Sequence, residues 1–150
     1  MEITITMKIE NEELKDLLGL QGETKKVRVR RKTSASPYAK FFDETCTAWT
    51  KDPESNKFYL LRQQEYANEK LKQYGYLFLN EVYDMLGMPR TKAGQLVGWV
   101  YDETRPYIDN FVDFGLFDSR NRDFINGYEK TVLLDFNVDG NIFDYMEKEL

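Results

Sequence analysis

The sequence predicts an α+β fold: helices followed by a small antiparallel sheet, with a strand–helix appendage at the N-terminus. Three observations carry that prediction. Helical spacing and helix-end signals crowd into residues 50–87, strand alternation dominates residues 96–138, and the two do not interleave as βαβ units would. The length, 150 residues, suits one body plus a small appendage. Composition divides it into a leader over 1–20, a Lys/Arg/Ser/Thr-rich linker or arm over 21–37, and the α+β body over 38–150.

The leader opens as a strand. Ile3, Ile5, Met7 and Ile9 alternate with Thr4, Thr6 and Lys8, the period of a half-buried strand. Asn11 then caps a short helix, Glu12 to Leu18, which Gly19 ends. In the arm, Val27 and Val29 alternate with Arg28 and Arg30, so part of it can add to a sheet edge. Residues 38–46 read as one or two helical turns. Asp52-Pro53 then starts a long helix that stops at Gly75, with Phe58, Leu61, Ala67, Leu71 and Tyr74 at roughly helical spacing. A second helix, Glu81–Leu86, is capped by Asn80 and ended by Gly87 and Pro89, and residues 90–95 form a loop.

Strands follow at Leu96–Tyr101 and Asn110–Phe117. In the second, Val112, Phe114 and Leu116 lie opposite Asp113 and Gly115. Thr131–Val138 alternates most clearly: Val132, Leu134, Phe136 and Val138 face the core, and Leu133, Asp135 and Asn137 face away. Asp139-Gly140 signals a tight hairpin, after which the chain returns as a short strand or closes with a helix over 142–150.

Composition excludes several chemistries. Without a single His, no histidine-based triad, acid/base pair or metal set can exist, and one Cys, Cys46, excludes an intrachain disulfide. With no histidine to activate it, Cys46 reads as a small buried filler. The apolar runs are too short for a membrane span, and the N-terminus lacks the basic and apolar regions of a signal peptide, so the expected location is cytoplasmic. No catalytic residue, metal ligand or cofactor emerges.

Three segments taken together resemble an uncharacterised family of short proteins carried by bacteriophages and integrated mobile elements: Trp49-Thr50-Lys51-Asp52, the stretch from Phe78 to Trp99, and Leu133-Leu134-Asp135-Phe136-Asn137-Val138-Asp139-Gly140. The likeness spans roughly residues 40–145 and leaves out the leader and arm. It implies no activity and no catalytic residues. It implies a mobile-element setting in the host cytoplasm, where small acidic proteins act by binding host machinery.

Charge supplies the candidate sites. Residues 23–40 hold one acid and seven bases (+6), whereas residues 101–150 hold twelve acids and five bases (-7). Lys25, Lys26, Arg28, Arg30, Arg31 and Lys32 form an arm with three open readings: a solvated linker or charged sheet edge, a nucleic-acid contact, or a dock for an acidic partner. Asp113, Asp135, Asn137 and Asp139 are expected to share an outward acidic face that binds a partner. Asp135-Phe136-Asn137-Val138-Asp139-Gly140 also matches the first half of a calcium loop, but Met146 occupies the position of the bidentate acid, so the hairpin reading prevails. Some of the ten Tyr are expected to anchor an interface.

The function expected first is a non-enzymatic accessory protein that binds a host or phage protein, with inhibition of a host defence system as its sharpest form. The alternatives are nucleic-acid binding through residues 25–32 and a self-assembling or virion component pairing through the leader strand.

Overall fold

The computed structural model describes residues 2–7, 27–32 and 35–148. Among them are four α-helices and three small antiparallel sheets, an α+β fold. The predicted helix Glu12–Leu18 and the cations Lys25 and Lys26 lie outside the described residues.

The leader strand β1 (Glu2–Met7) pairs antiparallel with β2 (Val27–Lys32), so the basic arm is a strand at its C-terminal end. Residues 38–46, expected as helical turns, instead contain β3 (Lys40–Phe42), and Asp43 turns the chain by accepting the Thr45 amide at 2.9 Å. An Asx turn competes directly with helix continuation.

The long helix α1 (Pro53–Tyr74) has the predicted ends. Asp52 accepts from the Glu54 amide at 3.2 Å and the Ser55 hydroxyl at 2.7 Å, Pro53 occupies the first turn, and Gly75 closes it at φ +82° with its N–H on Leu71 O at 2.8 Å. The buried stripe differs from the expected one. Leu60, Ala67 and Leu71 are buried, Asn56 and Lys57 are buried with them, and Phe58 and Tyr74 are exposed. Lys57 donates to Ile125 O at 3.1 Å and pairs with Glu54, so its charge is satisfied inside.

After Gly75 come β4 (Tyr76–Phe78) and α2 (Leu79–Met85). Asn80 lies inside α2 and does not cap it. The Phe78 amide is instead bonded by the Glu81 carboxylate at 2.9 Å. A 3₁₀ turn (Ala93–Gln95) leads into β5 (Val97–Val100), which is buried throughout. Gly98 lets β4 and β5 approach, since a Cβ there would meet Leu77 O at 2.0 Å. A second 3₁₀ turn (Ser119–Asn121) runs into α3 (Arg122–Ile125), then come β6 (Val132–Leu134), β7 (Gly140–Asn141) and α4 (Ile142–Lys148).

Two predicted features take another form. Asp139-Gly140 is no hairpin back onto β6: β6 pairs with β3, while β7 pairs with β5 in the order β4-β5-β7. Gly140, at φ +126°, opens β7 and pairs with Gly98. Residues 110–117 form no strand, although Val112, Phe114 and Leu116 are buried as the alternation predicts. The core collects Trp99, Tyr83, Phe114, Phe136, Phe42 and the leucines of α1, β4 and α2. Phe136 sits at its centre, edge-on to both Tyr83 (5.7 Å) and Phe114 (5.5 Å).

Candidate interaction surfaces

The fold itself uses the acidic set. Asp135 and Asn137 are 7% and 5% exposed, not outward. Asp135 accepts from the Ser36 amide (3.3 Å) and from Arg120 Nη2 (3.3 Å), and Arg120 also grips Asp118. Asn137 makes four bonds. Its Oδ1 accepts from Trp99 Nε1 (2.8 Å) and the Asp113 amide (2.7 Å), and its Nδ2 donates to Asp109 (3.0 Å) and Phe111 O (3.0 Å). Asp139 accepts from the Val100 amide at 2.8 Å, and Asp113 from the Gly115 amide at 2.8 Å. The expected face of Asp113, Asp135, Asn137 and Asp139 is therefore not assembled. Parity along 132–138 separates two sides, but the chain from 102 to 120 and Ser36 cover the second side as well as the first. The three positions of the half calcium loop reach different protein donors, and no group of three metal-ligating side chains occurs among the described residues.

A recurrent device emerges that the sequence did not advertise. Five asparagines each bind both the N–H and the C=O of one other residue, Asn110 holding Asp102 (2.7 and 3.3 Å). Asn56 holds Thr50 (3.0 and 2.8 Å) and Asn68 holds Val112 (2.7 and 3.0 Å). Asn80 holds Thr91 (3.0 and 2.9 Å), and Asn121 holds Leu133 (3.1 and 2.8 Å). Gln64 accepts the Phe114 amide at 2.8 Å. A side-chain amide offers the same donor–acceptor pair as a peptide group, so each substitutes for a neighbouring strand. The one available signal was polar residues at helical spacing on the core side of α1: Asn56, Gln64 and Asn68 fall in step with Leu60, Ala67 and Leu71.

Ionisable groups elsewhere behave as parts of the fold. Burial pushes the Tyr83 hydroxyl up to about 12, and it donates to Tyr38 O at 2.9 Å. The hydrogen bond from Arg90 holds Asp84 below its usual range at an exposed ion pair. Cys46 is buried, as expected.

Two surfaces remain. The first is the β1–β2 ribbon. Its register pairs Thr6 with Arg28, Thr4 with Arg30 and Glu2 with Lys32, and pairs Met7 with Val27, Ile5 with Val29 and Ile3 with Arg31. Of the six predicted arm cations, Arg28, Arg30 and Lys32 thus share one row and Arg31 belongs to the other. The second surface is the exposed side of α1, where Phe58 is 58% and Tyr66 is 51% exposed with Arg62 between them. Tyr107 and Tyr128 also stand in solvent.

This is an α+β protein whose irregular segments are held by side-chain amides. Compared with known proteins, the chain belongs to a family of unknown function (DUF6353), whose pattern matches residues 2–146 and so takes in the leader and the basic strand. No curated protein and no solved structure matches it. Among the described residues, no helix is long and apolar enough to cross a membrane.

Proposed function

We propose that the chain is a non-enzymatic accessory protein of a bacteriophage or mobile element that acts in the host cytoplasm by binding another protein, in its sharpest form as an inhibitor of a host defence system. The observation that carries protein contact is the exposed row Phe58, Arg62 and Tyr66 on α1. Four-residue steps keep these side chains within about 80° of one another around the helix. Aromatic and Arg side chains supply most of the energy at the centres of interfaces. The mobile-element setting rests on the resemblance of Trp49–Asp52, Phe78–Trp99 and Leu133–Gly140 described above.

The test mixes the protein with candidate host nucleases and reads size exclusion and cleavage. The reading expects a complex with one of them, slowed cleavage, and loss of both in Phe58→Ala/Tyr66→Ala at an unchanged thermal midpoint. Cleavage and elution unaltered by the wild-type chain across the panel would remove the defence version. A complex indifferent to the double substitution would remove α1 as its contact.

A further inference from the structure

We propose that Asn126 is a self-modification site: Asn126 and Gly127 close to a succinimide with loss of ammonia, and water opens the ring to aspartate or isoaspartate. The inference does not rest on the protein contact at α1.

Contrast with the other asparagines is its foundation. Of the eight described asparagines, seven commit the side-chain amide. Five clamp main-chain groups, Asn137 makes four bonds, and Asn141 accepts the Asp144 amide at 3.2 Å. Among the described residues, Asn126 is the asparagine whose side chain makes no hydrogen bond, and it is half-buried, within reach of water. An amide held by two partners cannot swing onto its own backbone, whereas that of Asn126 can. The sequence supplies a second requirement. Asn126-Gly127 is the one Asn-Gly pair in the chain. Every other asparagine precedes a residue whose side chain crowds the attacking nitrogen. Gly127 has none, and a Cβ built on it would meet nothing within 4 Å.

The chemistry needs only water. The Gly127 amide nitrogen loses its proton to hydroxide and attacks Asn126 Cγ. An N–Cγ bond forms, the side-chain nitrogen takes a proton from water and leaves as ammonia, and a five-membered imide remains. Water then adds to one of its two carbonyls. Cleavage at Cγ restores the main chain with aspartate at 126. Cleavage at the main-chain carbonyl leaves Cβ and Cγ within the chain, which is isoaspartate. An amide and one water thus become an acid and ammonia.

The fold gates the step. Asn126 follows α3 at ψ 1°, and the Gly127 N–H donates to Phe124 O at 3.0 Å, so ring closure requires this turn to open. α3 is a single turn of four residues with no side-chain cap at its start, an element that opens locally below the cost of global unfolding. The product then acts on the same turn. Ile125 O accepts the ammonium of the buried Lys57 at 3.1 Å, and the extra main-chain atom of isoaspartate falls one residue beyond it. Either product adds a carboxylate between Asp123 and Glu129 in the chain. The hold of α3 on α1 therefore weakens as the protein ages.

Peptide mapping by mass spectrometry of the full chain, incubated at pH 8.5 and 37 °C, tests this, with isoaspartate read by an isoaspartate methyltransferase. Conversion at Asn126 should rise with time and pH and run at least about tenfold ahead of any clamped asparagine, which must first release its partners. Urea below the unfolding transition should speed it. The aged fraction, isolated by anion exchange as a more acidic species, should unfold at a lower temperature. Asn126→Gln, whose longer side chain closes a larger ring slowly, should keep its charge and its midpoint over the same incubation. Asn126 intact in the native chain after the urea-unfolded chain has converted would overturn the proposal, as would equal conversion at a clamped asparagine. Conversion with an unchanged midpoint would overturn the effect on the Lys57 contact.

Discussion

β5 and the segment from Val112 to Leu116 have similar sequences for the purpose of folding: short, extended and largely apolar on the core side. β5 finds strands on both sides, with Phe78 and Gly140 flanking Gly98. The segment 112–116 instead takes its bonds from Asn68, Gln64 and Asn137, together with the main chain of 135–137. The contrast shows that a buried extended chain needs a donor and an acceptor at each position but not a strand to supply them. It also accounts for the missing acidic face. Asn137 commits its side chain to the Trp99 and Asp113 N–H groups and to Phe111 O, and Asp135 to the Ser36 amide and Arg120, so both lie inside.

The largest expected effect follows from removing the amide that serves most groups. Asn137→Ala leaves the Trp99 and Asp113 N–H groups and Phe111 O without this partner. At about 1–3 kcal/mol per buried orphan, urea unfolding should show a loss of about 3–5 kcal/mol. A loss below about 1 kcal/mol would mean the segment is held some other way.

The single-residue clamps sharpen the comparison. Asn68→Ala strands both groups of Val112, which is fully buried, and should cost about 2–3 kcal/mol, less the few tenths by which Ala suits a helix better. Asn80→Ala frees only the half-buried Thr91, which water can reach, and should cost about 1 kcal/mol. Equal losses from the two would contradict the dependence on burial.

Tyr83 gives the pH test. Its folded pKa, about 12, lies above the ordinary 10.0 because burial disfavours the phenolate. Its contribution is therefore complete below pH 10 and is lost as pH rises from 10 towards 12, on the order of 2 kcal/mol. Tyr83→Phe should be slightly less stable at pH 8, having lost the bond to Tyr38 O, and should lack this alkaline loss. Parallel alkaline unfolding curves for the two proteins would count against it.

The smallest effect is at the exposed Asp84–Arg90 pair. Asp84 has its pKa lowered from 3.8, so any stabilisation is present above that value and fades as pH falls through the lowered one. Asp84→Asn should cost under 1 kcal/mol at pH 7 in thermal unfolding, and nothing measurable at pH 2.

Legibility in the sequence followed the same division. The ends of α1 were readable because Asp52, Pro53 and Gly75 act locally, through a cap, a fixed φ and a left-handed turn. β5 was readable from an uninterrupted apolar run, and the strand character of Val27–Arg30 from its alternation. The burial of Asp135 and Asn137 was not readable, because their partners are Ser36, Trp99 and Asp109, far away in sequence. Nor could residue spacing reveal that β7 would leave β6 for β5, since the partner of Gly140 is Gly98, far away in sequence. For the candidate surfaces, the cations were legible as a cluster, but their division into a row of three with Arg31 opposite depends on the β1–β2 register.

Amide hydrogen exchange tests the central claim most directly. If side-chain amides replace a strand ladder, the N–H groups of Val112, Asp113 and Phe114 should exchange as slowly as that of Trp99 in β5, within about tenfold. Exchange of 112–114 at the rate of an open loop, with β5 still protected, would contradict it.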